Sequence, residues 1–219
     1  MTQNNLPQAE LLQAVLDRAG ITHWDLLLVG DGSGNQWNLP SGWASILVHR
    51  WHGIRPLFFG AMNSGSINLA EMMPYLQALT WYDKHAGHAE IKTSGPRNVH
   101  IITDSRVIAT HGTTAADFKQ PLPACSQRAL WAAMREFGFM GYRITWHWAA
   151  RSSNSLNFLA DLIAGMARRE IDLLAKKAAT TSYASLAARA AEALASVGFV
   201  DPASSELLDI NALNPFNGT

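Results

Sequence analysis

The stretch Trp24-Asp-Leu-Leu-Leu-Val-Gly-Asp31-Gly-Ser-Gly34 decides the fold, because an apolar run there ends in one carboxylate among glycines. Consecutive leucines closed by Val29 are typical of a buried β-strand. The glycines that follow predict that the chain turns out of the sheet at this point. We therefore expect Asp31 at the carboxyl end of the first strand, where an acid at the end of a neighbouring strand would lie beside it.

The rest of the chain predicts a mixed α/β sheet around that first strand. Three strands with short connections, one of them a hairpin at Trp51-His52-Gly53, make an antiparallel meander, and a helix separates them from a fourth strand. Because of that crossover, the fourth strand can lie parallel to the first and bring Asp104 next to Asp31. Alternation in the fifth strand predicts a buried aromatic face that includes Trp148 and a surface position for His147. The predicted strands after the first lie at 43–49, 57–62, 98–103 and 142–148, and the predicted helices at 7–19, 68–82, 107–110, 126–137, 155–175 and 180–197.

Composition limits the classes of function. The chain has 219 residues, of which 48% are hydrophobic, so it can bury a full core. Its 17 basic and 17 acidic residues give a formal net charge of zero, so no overall basic field draws the protein to nucleic acid or to an anionic membrane. The single cysteine, Cys125, excludes an intramolecular disulfide framework and fits a reducing compartment. No apolar run reaches transmembrane length and the polar start is unlike a signal peptide, so we expect a cytoplasmic protein with no membrane contact.

Four acids stand where they could share one site. Asp31 and Asp104 each end a predicted strand. Glu71 falls in the first turn of a predicted helix, where the structural alternative is a capping-box pair with Asn68, and Asp161 lies on the last long helix. Without a metal such acids repel one another, so we expect a raised pKa for at least one of them.

Four short motifs in chain order resemble the acidic motifs of type 1 ribonuclease H. They are Asp31-Gly-Ser, Asn68-Leu-Ala-Glu71, Thr103-Asp104-Ser105 and Asn157-Phe-Leu-Ala-Asp161; Ile144-Thr-Trp-His-Trp and Ala129-Leu-Trp131 are also similar to the family. The resemblance implies a ribonuclease H-like α/β fold, with a mixed five-stranded sheet of three antiparallel strands and then parallel strands, and helices on both faces. We accordingly divide the chain into an N-terminal helical extension at 1–22, a catalytic domain at 23–175, and an alanine-rich C-terminal helix and tail at 176–219.

The same resemblance implies the activity and the roles of the acids. It implies an endonuclease that hydrolyses the RNA strand of RNA/DNA hybrids with two Mg²⁺ ions, or with Mn²⁺ in their place. Asp31 would bridge both ions, and Asp104 and Asp161 would hold the ion that activates water. Glu71 would serve the other ion and lie near the ribose 2′-hydroxyl, the group by which such a site distinguishes RNA from DNA.

The expected contacts with substrate rest on a second set of residues. They are Ser33, Asn68, Arg106, Arg151 and Asn157. Arg151 stands where the family has a flexible histidine that is thought to aid proton transfer or product release. An arginine cannot act as a general acid–base at neutral pH, although it could hold a phosphate. We therefore expect slower turnover, with the chemistry retained.

Two other functions stay open from the sequence. The fold also hosts resolvases, transposases and inactive scaffolds. A structure-specific DNA nuclease or resolvase would use the same acids on a different groove, whereas a non-catalytic nucleic-acid-binding module would be expected to have lost one or more of them. The predicted C-terminal helix at 180–197 is either an intramolecular cap or a surface for a homodimer or another partner.

Overall fold

The computed structural model describes residues 8–34, 39–50, 57–86, 97–151 and 155–175. Its strands are β1 (Leu26–Ser33), β2 (Leu39–His49), β3 (Leu57–Gly65), β4 (Arg97–Thr103) and β5 (Tyr142–Trp148). Its helices are α1 (Gln8–Ala19), α2 (Ile67–Ala86), α3 (Arg106–Ala116), α4 (Arg128–Phe139) and α5 (Ser155–Ala175). The predicted hairpin at 51–53 and the predicted C-terminal helix at 180–197 lie outside the described residues.

The strands form one sheet in the order β3-β2-β1-β4-β5. β1, β2 and β3 are antiparallel neighbours, β4 is parallel to β1, and β5 is parallel to β4. The predicted mixed sheet is thus confirmed. β1 lies at its centre, and this position explains the apolar run from Leu26 to Val29, because a central strand is buried on both faces.

Helices cover both faces of the sheet. Leu26 and Leu28 of β1 pack in a core formed with α2, α3 and α4. Leu27 and Val29 point the other way, into a core formed with α1 and α5. No helix among the described residues combines the length and the apolar character needed to cross a membrane.

Several predicted helix boundaries were wrong. α2 begins at Ile67, since Ser66 Oγ accepts a hydrogen bond from the backbone N–H of Leu69 at 3.2 Å. Glu71 therefore lies in the second turn, beyond the reach of a capping box. α3 runs to Ala116, capped by Ser105, where only a short helix at 107–110 was expected. α4 continues past Gly138 to Phe139, and the glycine with a positive φ in the turn after this helix is Gly141, at 92°.

Two predictions for β5 were also wrong. Trp148 is 45% exposed, because it lies at the last position of the strand and at the edge of the sheet. His147 is half-buried and stacks on His100 of β4, with 2.8 Å between Nε2 of His147 and Nδ1 of His100. Burial, and the charge of His100, lower the pKa of His147 to about 4. This pair belongs to the packing between the two strands.

Candidate active site

The site lies where β1 and β4 separate. Their pairing ends at Val29 and Ile102, and two residues further along lie Asp31, in β1, and Asp104, directly after β4. The Tyr75 hydroxyl from α2 donates to the carbonyl oxygen of Gly30 at 2.6 Å and lies 3.2 Å from that of Ile102. Tyr75 therefore ties the two strands together just below the acids. Sequence reasoning missed this tyrosine, because its helical spacing is indistinguishable from that of a core residue.

Asp31 is held inside β1, two residues before the strand ends. It is fully buried, and its Oδ1 accepts a hydrogen bond from the backbone N–H of Gly32 at 2.7 Å. A Cβ placed on Gly32 would lie 2.4 Å from the backbone nitrogen of Glu71. A glycine is thus required at position 32 because β1 and α2 are in direct contact there. The predicted turn after Val29 was wrong, since β1 continues to Ser33. This contact brings Glu71 beside Asp31.

Three acids from three elements converge at this point. Among the described residues, Asp31, Glu71 and Asp104 offer one carboxylate oxygen each, all within 4.8 Å of one another. Asp31 comes from β1, Glu71 from α2, and Asp104 directly follows β4. Glu71 Oε2 is buried and has no hydrogen-bond donor in the structure, and the buried Asp31 Oδ2 makes an ion pair but no hydrogen bond. Buried carboxylate oxygens without donors are unstable unless a cation binds them or they are protonated.

The pKa values of Asp31 and Glu71 are raised, as expected for buried carboxylates that are protonated or bind a cation. Burial, and then the charge of Asp104, raise the pKa of Asp31 to about 8. Burial, and then the charge of Asp31, raise the pKa of Glu71 to about 9. The expectation that at least one acid has a raised pKa is confirmed, and crowding of like charges is part of the cause.

Arg151 joins the fourth acid to the cluster. Its guanidinium contacts three carboxylates, with Nη2 3.3 Å from Asp31 Oδ2, Nε 2.7 Å from Asp104 Oδ2, and Nη1 3.1 Å from Asp161 Oδ1. Asp161, on α5, is a third exposed and stands at the mouth of the site. From the sequence Arg151 was expected to hold a phosphate, but here it is ion-paired to the acids.

The other predicted substrate contacts surround the acids at different depths. Ser33 and Asn68 are partly exposed at the end of β1 and the start of α2, and Arg106 is exposed at the start of α3. The Arg106 guanidinium stacks on the ring of Trp148 at 4.4 Å, and the Trp148 indole N–H donates to the backbone carbonyl of Asp104 at 2.9 Å. Asn157 is buried and lies 3.4 Å from the carbonyl oxygen of Ala149, so it links α5 to the end of β5.

The chain is similar to known proteins in its fold and not in its sequence. No protein-family model matches the chain, and no curated protein matches it. Solved structures match in fold. An N-terminal ribonuclease H domain from Mycobacterium tuberculosis is 17% identical, over 70% of this chain and 99% of that one, with a TM-score of 0.53. A ribonuclease H1 isolated from compost by a metagenomic approach is 16% identical, over 68% of this chain and 98% of that one, with a TM-score of 0.50. At such identities the likeness concerns the fold, and the chain has the ribonuclease H fold.

Proposed function

We propose that this chain hydrolyses the RNA strand of RNA/DNA hybrids, with divalent metal ions held by Asp31, Glu71, Asp104 and Asp161. The observation that carries the proposal is the convergence of acids from β1, α2 and the end of β4, with the buried Glu71 Oε2 lacking a donor, on a ribonuclease H fold. A core position would not keep charged groups in this arrangement without a function for them.

The donor set fits hard divalent cations. The converging ligands are carboxylate oxygens alone, which Mg²⁺ and Mn²⁺ prefer, and no thiolate or imidazole is among them. Bound there, the ions would supply charge for the attacking and leaving oxygens of a phosphodiester and a more acidic water. Two ions are proposed, because hydrolysis of a phosphodiester develops charge on both the attacking and the leaving oxygen, and one ion could stand beside each.

The chain's own residues fix the geometry of that site. Gly32 N–H holds one oxygen of Asp31, so that the other faces the cationic group in the site, which is Arg151 in this structure. The indole of Trp148 holds the backbone of Asp104, and Arg106 presents a positive charge beside it, where a phosphate of the substrate strand would bind. Ser33 and Asn68 are proposed as contacts on the other side of the acids, with Glu71 next to the ribose 2′-hydroxyl.

The decisive experiment is a cleavage assay on matched substrates. An RNA/DNA hybrid, double-stranded RNA and double-stranded DNA of one sequence are incubated with Mg²⁺, Mn²⁺ or EDTA. We expect cutting of the hybrid's RNA strand that needs metal. We also expect at least a hundredfold loss in Asp104→Asn, since loss of one ligand or charge at such a site typically costs about that much. Arg143→Gln, an exposed change at the far end of β5, serves as the folded control.

Other outcomes separate the alternatives. Metal-dependent cutting of DNA, with the hybrid intact, would replace the proposal with a structure-specific DNA nuclease or resolvase. Binding of nucleic acid with no cutting in either metal would favour a non-catalytic module.

The predicted cytoplasmic location stays a proposal, and so does a homodimer or partner contact through residues 176–219. Sedimentation of the chain with and without that segment tests the homodimer or partner contact.

A further inference from the structure

The contacts of Arg151 divide the acidic site into two sides. On the first, which we call the arginine side, the guanidinium contacts Asp31, Asp104 and Asp161 through one nitrogen each, at 3.3, 2.7 and 3.1 Å. Glu71 makes no such contact. On the second, the open side, Glu71 Oε2 is buried without a donor, and a carboxylate oxygen of Glu71 lies within 4.8 Å of one oxygen each of Asp31 and Asp104. One cation therefore already occupies the arginine side.

A guanidinium and a metal ion cannot both bind the arginine side. The guanidinium takes one lone-pair site on an oxygen of each acid and fills the space that an ion bound to the same three oxygens would need. The arginine also keeps its positive charge below about pH 12, so it repels a metal ion that approaches these carboxylates. The open side lacks this obstacle.

Arg151 is held there weakly enough to leave. Its side chain is 49% exposed. Among the contacts of the described residues, its guanidinium is held by these three carboxylates alone. Because half of the arginine side chain is in contact with solvent, the guanidinium is rehydrated as it leaves, so a divalent ion at sufficient concentration can displace it.

We propose that Arg151 takes the place of one divalent cation, so that the first metal ion binds the open side with Arg151 in place and the second binds only when Arg151 moves away. The inference rests on the proposed function in one respect, namely that divalent ions are the ligands of these acids. It assigns Arg151 the role of setting how many ions the site holds at a given metal concentration.

The test counts bound ions and follows Arg151 directly. Mn²⁺ is titrated into the full chain, and free Mn²⁺ is measured by electron paramagnetic resonance. In parallel, Mg²⁺ is titrated while the Nε–H resonance of Arg151, identified by its absence from Arg151→Lys, is followed by NMR. We expect two unequal steps in the wild type, with the resonance shifting in the second step. In Arg151→Gln the second ion should bind about tenfold tighter or more, the combined effect expected when a half-exposed arginine no longer competes for three carboxylates.

Matched variants control for charge and folding. Arg143→Gln removes the same charge from an exposed position on β5 and should titrate like the wild type. Arg151→Lys keeps the charge but loses the planar fork, so its second step should lie between those of the wild type and Arg151→Gln. The proposal is overturned if Arg151→Gln and the wild type bind the same number of ions with the same affinities. It is also overturned if the Arg151 resonance shifts with the first ion.

The two experiments distinguish failure of the proposed role of Arg151 from failure of the proposed function. A chain that leaves the hybrid uncut while Arg151→Gln still tightens the second ion would contradict the function and support the role of Arg151. Metal-dependent hybrid cleavage with identical metal titrations would support the function and refute the role of Arg151.

Discussion

Replacing Gly32 with alanine tests the contact that assembles the site. The added Cβ would lie 2.4 Å from the Glu71 backbone nitrogen, 2.5 Å from the Ala70 carbonyl carbon and 2.8 Å from the Glu71 Cα. All three atoms belong to the backbone, so no flexible side chain can move aside. Gly34 in the same stretch provides the matched control, because its Cβ would meet Ser41 Cβ at an ordinary 3.4 Å.

The magnitude follows from these distances. Restoring van der Waals contact needs β1 and α2 to separate by about 1 Å. Overpacking of this kind typically costs about 1–3 kcal/mol of folding free energy. Metal ligands must keep their distances to about 0.2 Å, so moving Glu71 by the same 1 Å should abolish its contribution to metal binding. Gly34→Ala should stay within about 0.5 kcal/mol of the wild type and bind metal normally.

The assay measures both effects on the same proteins. Urea unfolding without metal gives the change in free energy, and a Mn²⁺ titration of the folded protein gives the affinity. We expect Gly32→Ala to lose stability and metal affinity together. If Gly32→Ala unfolds and binds metal as Gly34→Ala does, the close approach of β1 and α2 does not position Glu71, and the reasoning is refuted.

Two further predictions concern the buried groups beneath and within the site. Tyr75→Phe should lower the free energy of unfolding by about 1–3 kcal/mol, because the buried carbonyl of Gly30 loses its donor, and an unchanged urea midpoint would contradict this. The raised pKa values, about 8 for Asp31 and about 9 for Glu71, mean that the metal-free folded state holds protons that the unfolded state releases near pH 4. The contribution of these two acids to stability is therefore fully present below about pH 4 and falls as pH rises toward 9, whereas metal affinity rises over the same range by about tenfold per pH unit for each proton released. Urea unfolding and metal titrations at a series of pH values measure both trends, Asp31→Asn should flatten the first, and stability that increased with pH would show the signs to be wrong.

Much of the fold could be predicted because its signals are local. The apolar run before Asp31, the alternation in 142–148 and the helical spacing in 155–175 each identified an element, and β5 and α5 have the predicted bounds. The parallel placement of β4 beside β1 followed from the crossover rule. Those two placements predicted that Asp31 and Asp104 would meet, and the structure brings them together.

What the sequence did not predict depends on contacts between distant elements. Gly32 looked like a turn residue, since nothing local shows that the backbone of α2 will touch it. Arg151 was interpreted as a phosphate contact. Its ion pairs were not predicted, because the three acids that it contacts come from separate parts of the chain. The substrate contacts at Ser33, Asn68, Arg106 and Asn157 stay predictions, since they depend on a substrate that must be supplied by experiment.

The parallel pairing of β1 with β4 also determines at which stage of folding the site can form. Asp25, just before β1, accepts a hydrogen bond from the backbone N–H of Asn98, 73 residues further along the chain. The meander of β1, β2 and β3 needs only short loops and can form early, but closing this long loop is a late and slow event. The acids meet only after that closure, so metal binding cannot guide the early steps of folding. An ion that binds afterwards would stabilise the native state. It would lower the unfolding rate more than it raises the folding rate.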